Sequence, residues 1–407
     1  MTLAGLFAAL VLGLNLVVLP CVVMLLLSAV AAILAPRRTP TAADPTSRFL
    51  VAIPAHDERL GIGRTVQSCL GFDYAADRFQ VLVIADNCSD DTAELASAAG
   101  AEVLVRTHDE KRSKGYAIEH LIERLESTGR VETLDALVII DADSTASPDL
   151  LRKFDAMIAR GCDWIQCYYT VANPDASWRT RLMTYAFSLV NGVAPLGRYR
   201  LGLSSPLHGN GMCFTFRGLA RVPWRAYGLA EDYEYYWSVR MAGERVAFLP
   251  DGVVRATMLE GGGEAAANQR RRWEFGRKEI KARLFGPMLR DAKLGLGARL
   301  AAAIEMKTPP MMPLLGMLAL LVILNLSAAV AFPDPLSHPA SWLLLGCSCL
   351  IAAAVGLYAV SPFLAFGLPP SYLGTLAYVP VYAAWKLAVR MGGKPTRWVR
   401  TTRTAGR

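Results

Sequence analysis

Apolar positions along this chain fall into two kinds of stretch. Residues 3–35 carry no charge at all, and residues 311–332 and 342–360 are similarly apolar. Each is about as long as the roughly 20 residues a helix needs to cross a bilayer, or longer. Between these stretches the apolar runs shorten and alternate with polar ones. Residues 49–53, 81–84, 102–106 and 137–140 read as strands, and 63–70, 92–99 and 116–125 as the helices between them. Strands alternating with helices at this spacing predict a doubly wound parallel α/β sheet. The four unbroken apolar residues at 137–140 suit an interior strand covered on both faces. From Asp163 the rhythm changes: 164–171 and 246–249 read as strands, 181–190 as an aromatic-rich helix and 265–285 as a strongly basic helix. A glycine turn at 209–211 feeds a strand, and Glu231 and Asp232 open a helix ending at Gly243. No internal repeat is visible.

This patterning divides the chain into a membrane anchor (1–36), a Pro/Thr/Ala linker (37–48), a sheet domain (49–285), an interface helix (286–310), membrane helices (311–390) and a basic tail (391–407). No Lys or Arg precedes the first apolar run, which favours a retained anchor over a cleaved signal peptide. Arg37 and Arg38 follow it and place the sheet domain in the cytosol by the positive-inside rule. The loop at 333–340 lacks Lys and Arg and is expected outside. Residues 373–389 contain Pro380 and Lys386 and read as an interfacial helix more readily than as a third span after the sheet domain. The net charge of +8 owes much to Arg390, Lys394, Arg397, Arg400, Arg403 and Arg407, an acid-free tail beside a membrane segment. That is a lipid-facing signature, and no nucleic-acid partner is expected. The eight cysteines match no zinc spacing and are expected to be reduced thiols.

Candidate chemistry gathers at strand ends and helix starts. Asp86 follows the second strand, and Asp141 and Asp143 follow the fourth. Ligands of open α/β sheets lie beyond these carboxyl ends. Two carboxylates one residue apart repel unless a cation lies between them, and a divalent metal carrying substrate phosphates is the usual answer. Asp232 sits at a helix N-terminus, and Lys114 before Gly115 adds a cation on a permissive backbone. Gln269, Arg272 and Trp273 share one helical face through i, i+3 and i+4 spacing. That face offers an amide, a fixed cation for a diphosphate and an aromatic for a sugar ring. Each cluster alone has a plain structural explanation: a cap, a turn, or a solvated charge run.

Their order is more specific. Asp86, Asp141-Ala-Asp143, Glu231-Asp232 and Gln269-Arg-Arg-Arg272-Trp273 resemble the membrane-integrated inverting glycosyltransferases of family 2, relatives of cellulose synthase, hyaluronan synthase and ceramide glucosyltransferase. The runs Val51-Ala-Ile-Pro-Ala-His-Asp57-Glu58 and Val83-Ile-Ala-Asp-Asn-Cys-Ser-Asp-Asp91 look like bacterial members tied to polysaccharide synthesis. The resemblance covers residues 49–285 and implies a GT-A type, Rossmann-like nucleotide-sugar domain flanked by transmembrane helices. It implies a nucleotide-sugar site formed by Pro54, Asp57, Glu58, Asp86, Lys114, Asp141, Asp143 and Arg272, with Asp86 on the base. Asp143 would hold Mg²⁺ or Mn²⁺. Gly209, Asn210, Gly211, Glu231, Gln269 and Trp273 would face the acceptor, and Asp232 would be the general base. Asp57 stands where the family often has Asn, and Ala230 where it often has Thr.

The expected partners are a nucleotide-sugar donor, a UDP-sugar by the resemblance, a membrane lipid or lipid-linked glycan acceptor, the bilayer of the inner membrane, and polysaccharide-export proteins. A sugar-1-phosphate nucleotidyltransferase would need a glycine- and basic-rich phosphate loop, which residues 51–63 lack. A transporter with a nucleotide-sugar-binding regulatory domain would need intramembrane polar residues marking a path, and residues 311–360 contain almost none.

Overall fold

The structure is a computed structural model that describes residues 2–36, 38, 39, 41, 44–291, 294–332, 338–391 and 393. Arg37, the first five residues of the 333–340 loop and the tail residues Lys394, Arg397, Arg400, Arg403 and Arg407 lie outside the described residues. In chain order the helices and strands are α1 (Leu3–Ile33), β1 (Phe49–Ala55), α2 (Ile62–Leu70), β2 (Phe79–Asp86), α3 (Thr92–Ala98), β3 (Glu102–Arg106), α4 (Lys114–Ser127), β4 (Ala136–Ile139), β5 (Ser144–Ala146), α5 (Leu150–Ile158) and β6 (Trp164–Val171). They continue through α6 (Trp178–Phe187), α7 (Ala194–Arg200), β7 (Met212–Thr215), α8 (Phe216–Arg221), α9 (Glu231–Met241), β8 (Val246–Ala256), α10 (Glu264–Arg290), α11 (Leu296–Lys307), α12 (Met311–Val330), α13 (Pro339–Ala365) and α14 (Val379–Met391).

The eight strands form one sheet in the order β3-β2-β1-β4-β7-β6-β8-β5. Its first four strands are parallel, as the pattern predicts, but β7 runs antiparallel to both β4 and β6. The all-parallel expectation therefore fails in the second half, and the turn at 209–211 is the reason. The chain reaches that turn already at the carboxyl end of β4, where Gly211 N–H donates to the Ile139 carbonyl at 2.9 Å. It can only run back down the sheet. This reversal sets the glycine turn beside Asp141. β5 follows Asp143 directly and pairs antiparallel with β8, Ser144 opposite Ala256. Both ends of the Asp141–Asp143 loop are thus fixed by sheet. β8 runs past the expected end at Leu249 because residues 250–252 bulge out and pairing with β6 resumes at Val253.

Helices cover both faces. On one side Leu50, Leu82, Ile118, Leu121, Leu137 and Phe214 form a core with α9, and on the other Val51, Ile53, Val66, Val83, Val138 and Phe154 do so. β1 and β4 are buried on both faces, which is why their sequences read as continuous apolar runs. The aromatic helix expected at 181–190 is longer: α6, a π-helical turn over Ser188–Val193 and α7 run on without a break.

Among the described residues three helices are long and apolar enough to cross a membrane: α1, α12 and α13. They pack on one another through Val11, Val22, Leu314, Leu318, Leu344 and Ile351. Inside this bundle Asn15 Nδ2 donates to Asn325 Oδ1 at 2.6 Å, and Asn325 Nδ2 returns a bond at 3.2 Å. Residues 373–389 form a 3-10 turn and the 13-residue α14. At about 1.5 Å per residue α14 is too short to cross a bilayer core of about 30 Å. It is tied to α10 instead, through Lys386 and Glu274 at 2.9 Å and through Arg271 Nε donating to the Val389 carbonyl at 3.1 Å.

Candidate active site

Above the carboxyl ends of β1, β2 and β4 a cavity of about 1680 Å³ runs from Asp86 down to α1, α12 and α13. Its upper wall carries the sequence-predicted residues Pro54, Glu58, Asp86, Lys114, Asp141, Asp143, Gly209, Glu231, Asp232, Gln269, Arg272 and Trp273. Three members of the expected set lie elsewhere. Asp57 has a left-handed backbone (φ 53°), and its carboxylate accepts bonds from Ser89 N–H at 2.6 Å and Asp90 N–H at 3.2 Å. It knots two loops together instead of facing the cavity. Asn210 and Gly211 are buried behind the wall. Asn210 accepts from Asp141 N–H at 3.1 Å and donates to Ser144 Oγ at 2.8 Å, so it holds the aspartate loop in place. Gly211 has φ 69°, and a Cβ there would lie 2.2 Å from the Cys167 sulfur.

Asp86 closes one end of the site. It is buried, and its Oδ1 accepts from Arg106 Nη1 and from Asn87 Nδ2, the latter at 3.0 Å. Arg106 ends β3 directly opposite Asp86 in the parallel register, which explains the pairing. His56 bonds the Asp86 carbonyl through Nδ1 at 2.7 Å. Sequence reading missed Arg106; a lone arginine ending a strand carries no signal until the register is known. The adjoining helix α3 is capped from one residue further out than its N-terminal position, Asp90 accepting from Thr92 N–H at 3.1 Å.

Lys114 is the hub. Its ammonium donates to Asp141 Oδ1 and to the Gly209 carbonyl and lies 3.8 Å from Glu231. Burial works to lower its pKa, but the carboxylates of Asp141, Glu231 and Asp232 prevail and raise it. Gly115 is glycine for packing: a Cβ would stand 1.9 Å from the Ala226 carbonyl oxygen. The residue brings the start of α4 close enough to deliver Lys114.

Glu231 and Asp232 open α9, whose N-terminal dipole favours their ionised forms. Burial dominates nevertheless. It pushes the Glu231 carboxyl up to about 7, against Lys114 and with Asp232 and Asp141 adding to the rise. It raises Asp232 as well, against the pull of Arg277, the Tyr233 N–H and Lys114. Gly209 lies against Asp232, since a Cβ on it would meet Oδ2 at 3.4 Å. Across the cavity, burial lowers the Arg272 guanidinium while Glu231 and Asp141 hold it up. Trp273 packs on Phe187 with centroids 6.4 Å apart. Arg270 rests over the Trp273 ring at 6.0 Å and pairs with Glu274 at 3.1 Å, whereas Arg271 turns to α14. The Arg270–Arg272 run is therefore not a uniform solvated face.

The donor set fits a hard divalent cation at Asp143. Its carboxylate lines the cavity, takes a bond from Ser144 Oγ at 2.9 Å, and sits on a loop held at both ends. Asp141 already has a cation in Lys114. Among the described residues a second grouping of possible ligand atoms is Asp57, Cys88 and Asp90, but there Asp57 is engaged by backbone N–H groups.

Comparison with known proteins agrees with this layout. Residues 45–276 match the family model described as glycosyltransferase like family 2. A probable glycosyltransferase, YdaM, of Bacillus subtilis (strain 168) is 23% identical over 212 residues, which is 50% of this chain and 49% of that protein. The UDP-forming cellulose synthase 1 catalytic subunit of Komagataeibacter xylinus is 32% identical over 113 residues, 27% of this chain and 14% of that one. The chain thus spans about half the length of the first of these relatives and less of the second. The mannosyltransferase PcManGT of Pyrobaculum calidifontis, solved with GDP-Man and Mn²⁺, shares the fold with a TM-score of 0.55 at 18% identity, covering 87% of this chain and 98% of that one. Since the family match takes in all eight strands and every motif as far as Trp273, the chain belongs to glycosyltransferase family 2 and has its GT-A type, Rossmann-like fold.

Proposed function

We propose that the protein transfers a sugar from a UDP-sugar to a membrane-associated acceptor, with inversion at the anomeric carbon. The observation that carries this reading is the shared cavity. Asp86, the Asp141–Asp143 loop and Asp232 all line it, and Lys114 links Asp141 through the Gly209 carbonyl to the wall beside Asp232.

Asp86 has one carboxylate oxygen committed to Arg106 and Asn87 and the other, Oδ2, left to accept from a base. A single acceptor suits the single N3–H of uracil. A divalent cation held by Asp143, Mg²⁺ or Mn²⁺, would neutralise the donor diphosphate. Lys114 and Arg272 flank the same position and stabilise the charge that grows on the leaving diphosphate. Asp232 takes the proton of the acceptor hydroxyl as its oxygen bonds to the anomeric carbon. The bond from that carbon to the diphosphate breaks in the same displacement, which inverts the centre. Trp273 gives the sugar ring a flat apolar face, and Gln269 stands one turn before it on α10.

In this reading α1, α12 and α13 span the inner membrane and the sheet domain faces the cytosol. The acceptor is a lipid or lipid-linked glycan, and the product belongs to polysaccharide or glycolipid synthesis, with export proteins as partners. The test is transfer by the purified protein from a panel of UDP-sugars to native lipid extract with and without Mn²⁺, the product anomer being read by NMR. Metal-dependent UDP release with an inverted product is expected. Failure of every UDP-sugar to bind, or a retained anomer, would overturn the reading.

A further inference from the structure

The face of α10 that carries Gln269 and Trp273 does not stop at the catalytic site. The same i+4 row continues to Arg277 and Lys281, one and two turns further on, and both line the cavity. Both are half-buried. Arg277 lies over the Tyr233 ring at 5.5 Å, and Lys281 Nζ donates to the Thr308 carbonyl at 3.2 Å. Among the described residues neither has a carboxylate within ion-pair distance. Glu305, the nearby acid, is committed to Arg198 at 2.5 Å and to the Tyr236 hydroxyl at 3.0 Å. His208 lines the same stretch with its Nε2 buried and without a hydrogen-bond partner.

Beyond Lys281 the lining turns apolar. Met24 and Leu25 of α1, Leu314 and Leu315 of α12 and Val355 of α13 close the lower end. Thr308 joins the two zones, its carbonyl on Lys281 and its hydroxyl 3.4 Å from the Cys21 sulfur of α1. The cavity is therefore graded from carboxylates and Arg272, through two cations that make no ion-pair contact among the described residues, to an apolar mouth between candidate membrane helices.

We propose that Arg277 and Lys281 form an anion subsite for the acceptor, which is an amphiphile bearing a phosphate between its apolar tail and its reacting end. Asp232 acts on Arg277 and Glu305 on Lys281 only from beyond ion-pair contact, so a neutral amphiphile would leave both half-buried cations without a contact anion, which a buried charge tolerates poorly. Two cations one helical turn apart can both reach a single phosphate. The inference rests on the proposed transfer at Asp232, because it fixes which end of the amphiphile enters first. The family match ends at residue 276, immediately before Arg277.

The test uses the full-length protein in detergent, as wild type, Arg277→Gln, Lys281→Gln, the double variant and Arg277→Lys. Each is titrated with a long-chain isoprenoid monophosphate, with the matching uncharged alcohol, with inorganic phosphate and with UDP. Wild type should bind the lipid phosphate at least about tenfold more tightly than the alcohol. Each glutamine variant should lose about tenfold for the lipid phosphate and little for the alcohol, and Arg277→Lys should keep most of the preference. UDP affinity should be the same in all five preparations, which shows that the donor site and fold are intact. Equal wild-type affinity for phosphate and alcohol overturns the subsite, as does unchanged lipid-phosphate affinity in the double variant. Inorganic phosphate binding as well as the lipid phosphate would remove the apolar mouth from the site and overturn it too. Absence of UDP binding by wild type would sink the transferase reading instead, while the lipid titrations still decide the subsite.

Discussion

Asp232→Asn separates binding from chemistry. Asparagine keeps the size of the side chain and, through its Oδ1, the bond that Asp232 accepts from Tyr233 N–H at 2.8 Å. It cannot take a proton. The nucleobase end of the cavity depends on Asp86, Arg106 and Asn87, none of which touches Asp232. Donor affinity should therefore change by less than a few-fold. Loss of a general base costs about 10²–10⁴ in rate, so transfer should fall at least about a hundredfold, or about 2.7 kcal/mol of transition-state stabilisation. Burial raises the Asp232 pKa, so in wild type the protonated, inactive form persists above the ordinary carboxylate range. The wild-type rate should climb with pH through that raised pKa, and the residual rate of the variant should lack this step. Calorimetric donor titration and single-turnover transfer on the same preparation measure both quantities. Near wild-type transfer by Asp232→Asn would remove Asp232 from the mechanism and return attention to Glu231.

Glu231→Gln should change stability in a pH-dependent way. The folded carboxyl titrates near 7, above the unfolded value of 4.5, so the stability it contributes is present below about pH 4.5 and is lost as pH rises through about 7. Melting scans should show the variant gaining on wild type across that window, and a constant difference would contradict it. Asp143→Asn replaces a carboxylate ligand with a neutral amide and should raise the Mn²⁺ needed for half-maximal transfer by tenfold or more, to the order of a lost charged ligand. Unchanged metal demand would place the cation elsewhere. Arg272→Lys loses the planar fork suited to a diphosphate and should slow transfer about tenfold or more, whereas Arg271→Ala, on the α14 side, should leave the transfer rate within about twofold. Equal losses in steady-state assays would mean that the run is a general basic surface.

The parallel half of the sheet was legible because burial on both faces imprints unbroken apolar runs: residues 49–53 and 81–84 fall inside observed strands, and 137–140 overruns β4 by one residue. The site motifs were legible because strand ends and helix starts carry them. What the pattern hid was pairing. The reversal of β7 depends on which end of the sheet the chain re-enters, and no local periodicity records that. β5 is three residues long and α8 six, too short for either period to register. Arg106 becomes visible only through its register with Asp86, and Asp57 ties its loop to the one after β2 because a left-handed backbone aims its carboxylate at Ser89 and Asp90. Asn210 reads as part of an acceptor turn, yet its amide is used up in bracing Asp141 and Ser144.

The asparagine pair between α1 and α12 has a consequence for the order in which the molecule is built. Asn15 and its partner Asn325 are 310 residues apart. At synthesis rates of roughly 5–20 residues per second, α1 waits on the order of 15–60 s for α12 to be made. During that wait an amide sits in a segment otherwise free of charge and nearly free of polar side chains. Asn15 Nδ2 also donates to the Val11 carbonyl of its own helix at 2.8 Å, a bond that needs no other part of the chain. α1 can therefore form early with its amide provisionally satisfied, before α12 has been made. Arrival of Asn325 then latches α12 onto α1, so this contact waits on recognition between two segments 310 residues apart.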